Sequence, residues 1–280
     1  MEEKFVALMM EYEAMFEAAF WEIANDSLAE QFEKMNPDDC TAQIHAQIEA
    51  WFVTPNEICD GLTPVAFVAA LNESDTLTFI DLIYENSSEV IHYYAEAFRA
   101  KKDFLYGQLV AVFGRKIGSS AQLEDDYCDG LFFELSTLFA IYQDPNALDL
   151  FIAFIMEAPE GQEDLVDFVQ GLLGRFGASA TQRFLDVVAQ AQRFAGRIEN
   201  IYSAISQSGS KNDASFEALK RLFENAPKKS FAAICFSVYG DPRAVPVLVD
   251  WIEHVPAEGY DKTEVGDVLA ALKKLNLDAI

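Results

Sequence analysis

Tyr142-Gln143-Asp144-Pro145-Asn146-Ala147-Leu148-Asp149-Leu150-Phe151 and Tyr239-Gly240-Asp241-Pro242-Arg243-Ala244-Val245-Pro246-Val247-Leu248 follow one pattern. Each string follows an apolar helical run, Leu131–Tyr142 in one case and Ser230–Tyr239 in the other. The pattern reads as a hinge. A helix ends at an aromatic residue, and a tight turn follows. Asp144 or Asp241 then caps the next helix, and Pro145 or Pro242 takes its first position, where the missing N–H costs nothing. Ala147 or Ala244 is small enough to let the two helices approach. The copies lie 97 residues apart, which corresponds to two units of a helical-hairpin repeat of about 40–50 residues.

Working outward, the period stays helical. Residues 3–34 place Phe5, Leu8, Met9, Tyr12, Met15, Phe16, Ala19, Phe20 and Ile23 at three- and four-residue steps with glutamates between them. That predicts one amphipathic helix, ended by Asn36-Pro37 because the residue before proline resists the α region. Thr54-Pro55 and Thr63-Pro64 read as caps followed by proline at the first helical position. Ser74 opens a helix over 75–85, Ser87 or Ser88 one reaching Ala100, and 102–117 another that stops near Gly118. Further helices fall at 162–175, 180–195, 197–207 and 212–226. No alternating β-branched run bounded by turn signals occurs, so no strand is expected.

The string Gly240-Asp241-Pro242-Arg243-Ala244-Val245-Pro246-Val247-Leu248 resembles the turn of HEAT-like repeats, particularly the variety named after phycobilisome lyases. The resemblance is strongest over 230–254, extends to 131–157, and does not reach residues before about 120. It implies an α–α superhelix of antiparallel helix pairs that binds other proteins. It also implies structural, non-catalytic roles for Asp241 and Arg243 and, in the first copy, for Asp144. Asn146 stands where the pattern has arginine. The expected organisation is an acidic, divergent N-terminal helical region over 1–120, followed by HEAT-like repeats over 121–280 in one continuous domain.

The chain has 280 residues, 46 acidic against 20 basic, and a formal charge of −26. At 51% apolar it buries a core without disulfides or metal. The charge is uneven: residues 1–100 hold 20 acids and only Lys4, Lys34 and Arg99 as bases. Nucleic-acid binding is disfavoured, because phosphate contacts need clustered Lys and Arg. An acidic N-terminal face instead attracts cationic partners. Cys40, Cys59, Cys128 and Cys235 show no CxxC spacing, and Glu2-Glu3 follow Met1 where a signal peptide carries positive charge, so reduced thiols and a cytoplasmic location are expected. No apolar tract reaches the roughly 20 residues that span a bilayer.

The sharpest motif for chemistry is Asp125-Asp126-Tyr127-Cys128-Asp129, a DDxxD of the kind isoprenoid synthases use to hold Mg²⁺ and a diphosphate. It follows a loop, its flanks are poor in Arg and Lys, and no second metal motif accompanies it, so acids filling a first helical turn explain it. His45, His92 and His254 have no second ligand at metal spacing; His92, beside Tyr93 and Tyr94, reads as a partly buried packing residue. Gly171-Leu172-Leu173-Gly174-Arg175-Phe176-Gly177 falls at a helix end with no strand before it and reads as packing and capping. Phe132, Phe133, Phe139, Phe151, Phe154 and Phe168 fall on helical periods and belong to the core. No catalytic constellation, metal site or cofactor is expected. The reading is a non-enzymatic interaction protein with an acidic groove for a basic or amphipathic protein segment. The alternatives are an Mg²⁺-dependent helical enzyme using Asp125, Asp126 and Asp129, or an acidic nucleic-acid mimic.

Overall fold

The computed structural model describes residues 1–30, 37–86, 90–118, 130–255 and 261–277. Among them every regular element is helical, as expected for the all-α class. In chain order these are α1 (Glu2–Glu30), α2 (Pro37–Phe52), α3 (Pro64–Ala69), α4 (Glu73–Asn86), α5 (Ile91–Phe98), α6 (Lys102–Gly118), α7 (Gly130–Ile141), α8 (Pro145–Glu157), α9 (Glu163–Leu173), α10 (Thr181–Ala189), α11 (Ile198–Gln207), α12 (Asp213–Asn225), α13 (Lys229–Tyr239), α14 (Ala244–His254) and α15 (Lys262–Leu277). The contacts divide the chain into two compact units, residues 1–115 with 122–142, and residues 116–121 with 143–280.

In the first unit α1 packs on α2 and α4, α4 on α7, and α5 on α3 and α7. Aromatic rings fill the space between them. Phe5 and Phe79 lie 5.0 Å apart, Phe52 stacks on Tyr93 at 4.6 Å, and Phe113 stacks on Phe132 at 4.8 Å. Such pairs add to the burial of their area. Pro37 opens α2; the expected stop of α1 at Asn36 and the expected start at Ser87 or Ser88 lie outside the described residues. Two start signals resolve differently from expectation. Thr54-Pro55 starts no helix; the Thr54 hydroxyl donates instead to the Ala50 carbonyl and closes α2. Asn72, not Ser74, caps α4, because its Oδ1 accepts the Asp75 N–H at 2.9 Å. Thr63 does cap α3, accepting from the Ala66 N–H with Pro64 at the first position.

The second unit is regular. α8 packs on α9, α10 on α11, α12 on α13 and α14 on α15. Across pairs, α9 meets α11, α11 meets α13 and α13 meets α15, while α10 meets α12. Helix pairs therefore stack in two layers, the geometry of a helical-repeat array. α9, α11, α13 and α15 begin at residues 163, 198, 229 and 262, in steps of 35, 31 and 33. The repeat is thus about 33 residues, and the offset of 97 spans three units, not two. The helices are short: α9 to α14 have 9 to 13 residues each, so a pair with its turns needs fewer than 40. Hydrogen bonds recur at this period. Gln143 Nε2 donates to the Arg175 carbonyl, Gln170 to Ser203, Arg183 to Asp149, Arg221 to the Val188 carbonyl and Arg243 to Asp213, across 32, 33, 34, 33 and 30 residues.

Candidate functional site

Of the two hinges, only the first has an aspartate cap followed by proline at the first helical position. Asp144 is buried at the start of α8 and accepts the Asn146 and Ala147 N–H groups at 2.8 and 3.1 Å, with Pro145 opening the helix. Asp241 accepts the Arg243 N–H at 2.9 Å, and the Arg243 guanidinium folds back onto both its oxygens. That pairing holds the Asp241 carboxyl below its ordinary range. Pro242 does not take the first helical position here: it and Arg243 lie in a turn, and α14 begins at Ala244, two residues later than in the first copy, with no side-chain cap. Arg243 Nη1 also reaches Asp213 at the start of α12 at 2.6 Å, and its guanidinium lies 4.4 Å from the Phe216 ring centre. The aromatic residues before the hinges act alike. The Tyr142 hydroxyl donates to the Ala95 carbonyl and the Tyr239 hydroxyl to the Asn212 carbonyl, at 2.6 and 3.0 Å. Asp144, Asp241 and Arg243 thus each hydrogen-bond to other parts of the chain at the hinges.

Asp125, Asp126 and Asp129 lie outside the described residues. Among the described residues no group of three or more His, Cys, Asp or Glu is arranged to hold a metal ion. His45 and His92 are both exposed; His92 is therefore not a packing residue, and His45 Nδ1 lies 3.0 Å from the Tyr93 hydroxyl. His254, in the last turn of α14, bonds to the Asp250 carbonyl, which with the nearby carboxylate raises its pKa. Cys59 and Cys235 are free and buried. Burial first, and Glu11 and Asp60 for Cys59, push the thiols up to about 11 and about 12, so both remain protonated and unreactive at neutral pH. The six phenylalanines divide: Phe132, Phe139, Phe151 and Phe154 are fully buried, whereas Phe133 and Phe168 are only partly so.

The surface feature with the most binding character is on α1. Phe5, Leu8, Met9, Tyr12 and Ala19 are buried as the periodicity requires. Phe16 and Phe20, placed in the same stripe by their spacing, are 39% and 48% exposed. Trp21 is 58% exposed and meets Phe20 edge-on at 5.7 Å, and Val6 and Met10 are also exposed. Glu13, Glu17 and Glu22 are exposed among them. α1 therefore presents apolar side chains interleaved with carboxylates. Periodicity places Phe16 and Phe20 in the buried stripe, whereas Val6, Met10 and Trp21 lie outside it. Beside this helix a cavity of about 420 Å³ is lined by Glu11, Trp51 and the 54–58 turn; Asn56 donates to Glu11 there at 2.8 Å.

In the second unit clefts open between helices of the α8, α10, α12, α14 layer. The cleft between α10 and α12 carries Asp186, Glu217 and Glu224 as well as Lys220 and Arg221. None of the described helices is long and apolar enough to cross a membrane. No family model, curated protein or solved structure matches the chain.

Proposed function

We propose that this chain is a HEAT-like helical-repeat interaction protein of the cytoplasm, whose acidic surface takes up a basic, amphipathic segment of another protein. The observation that carries this is α1, where Val6, Met10, Phe16, Phe20 and Trp21 stand in solvent among Glu13, Glu17 and Glu22. Exposed aromatic side chains are good anchors, because they bury much area at little entropic cost. Carboxylates around them select a partner with lysines flanking an apolar face and repel acidic ones. The first unit supplies the long-range field, with 26 acidic against 6 basic residues, compared with 20 against 14 in the second.

The test is titration of the full chain with a synthetic Leu/Lys peptide of amphipathic helical pattern and with a scrambled peptide of equal charge, followed by tryptophan fluorescence. The patterned peptide should bind at least about tenfold tighter than the scrambled one, since anchoring adds more than a kcal/mol to attraction alone. Raising salt to about 0.5 M should weaken both, as the Debye length falls to roughly 4–5 Å. Trp21→Ser and Phe20→Ser should remove the difference between the peptides. Equal affinity of the two, or binding indifferent to these substitutions, refutes the reading.

A further inference from the structure

The second unit holds a cleft lined by three arginines. With a volume of about 520 Å³, it opens between the end of α8, the body of α10 and the turn leading into α11. Met156, Val187 and Ile198 form apolar walls, and Arg183, Arg193 and Arg197 bring three guanidinium groups to it. Among the described residues that line it, none is acidic. Asp149 and Glu163 pair with Arg183 and Arg197 from outside the lining, so the cleft keeps one guanidinium, that of Arg193, with no ion pair among the described residues.

The three arginines are held differently. Arg183 donates through Nε to Asp149 at 2.6 Å, which fixes the stem and leaves both terminal nitrogens. Arg197 reaches Glu163 and the Pro159 carbonyl through Nη2 alone, at 3.3 and 3.4 Å. A guanidinium has five N–H donors, so each keeps donors for a further acceptor. Arg193 is exposed and has no hydrogen bond or ion pair with the other described residues. Repeat-to-repeat pairing accounts for Arg183 and Arg197; it does not account for Arg193.

We infer that this cleft binds a small organic anion, a carboxylate or phosphate monoester with a short apolar body. Arg193 takes the head group, with Arg183 and Arg197 donating from the sides, and the body lies on Met156, Val187 and Ile198. Forked guanidinium donors suit both head groups. Two of the three are already positioned by carboxylates on the neighbouring repeat, which lowers the ordering cost of binding. The volume lies in the range of small-molecule sites.

The experiment is calorimetric titration of the full chain at about 50 mM NaCl with hexanoate, phenyl phosphate, acetate and inorganic phosphate. Hexanoate or phenyl phosphate should saturate one site per chain, at least about tenfold tighter than the corresponding head group alone. Preference for hexanoate assigns a carboxylate ligand, and preference for phenyl phosphate a phosphate ester. Arg193→Glu should weaken binding at least tenfold and Arg193→Lys less. Lys273→Glu, the same charge change on exposed α15, should leave it unchanged, as should Trp21→Ser on α1. The inference is overturned if no probe saturates below about 10 mM. It is overturned equally if Lys273→Glu weakens binding as much as Arg193→Glu while circular dichroism shows both variants folded.

Discussion

Asp144 and Asp241 occupy one place in two copies of a turn and hold it by different means. Asp144 spends its carboxylate on two backbone N–H groups, so Asp144→Ala should cost about 1 kcal/mol in urea unfolding and Asp144→Asn much less. Asp241 is gripped mainly by Arg243, which Asn146 could not do in the first copy. Glu134 is a residue that sequence reasoning passed over, because a single acid in an apolar helix carries no pattern. It is 1% exposed, its Oε2 has no hydrogen-bond partner among the described residues, and burial pushes its carboxyl up to about 8. The folded chain therefore keeps a proton at pH 7 that the unfolded chain releases. For this group, stability is fullest below the unfolded pKa and falls as pH rises from about 4.5 through 8, by on the order of 5 kcal/mol at most. Glu134→Gln should remove that decline. Parallel stability curves for variant and wild type between pH 5 and about pH 9 would disprove the assignment.

At the scale of the element, helix existence followed from periodicity, but which face of a helix is buried depended on its neighbours. Phe16 and Phe20 show this: their spacing matches Tyr12 and Ala19, and their exposure does not. Trp21→Ser should change stability by less than about 0.5 kcal/mol, since the ring is mostly in water already. A large loss in thermal melting would mean that the ring is packed. Gly130 opens α7 against α4. A Cβ there would stand 2.6 Å from Asp81 Oδ1 and 2.8 Å from Tyr84 Cβ. Gly130→Ala should therefore cost about 1–3 kcal/mol, the usual penalty of forcing extra volume into a tight contact, measurable by urea unfolding. In the sequence this glycine only follows the DDxxD string. Gly240, by contrast, was legible from its place after a helix, and it takes the left-handed conformation at φ 67° that closes α13. Gln143 adopts φ 49° at the matching position, a conformation its side chain disfavours, and its amide is bonded to the Arg175 carbonyl.

At the scale of the molecule, charge separates the two units, 26 acids against 6 bases in one and 20 against 14 in the other. Self-repulsion is screened by salt. Raising NaCl from about 20 mM to about 0.5 M should slow amide hydrogen exchange more in α1–α5 than in α9–α15. Equal slowing in both would show that the charge asymmetry has no energetic weight. By itself the sequence determined the all-helical class, the hinge positions and the capping role of Asp144, because helical period, proline and side-chain caps act over a few residues. The length of the repeat, the side of α1 left in solvent, and the meeting of Arg183, Arg193 and Arg197 in one cleft were decided by tertiary structure alone. Each depends on which helices stack, and stacking is fixed by shape and volume summed over residues far apart in the chain, a quantity that no local pattern encodes.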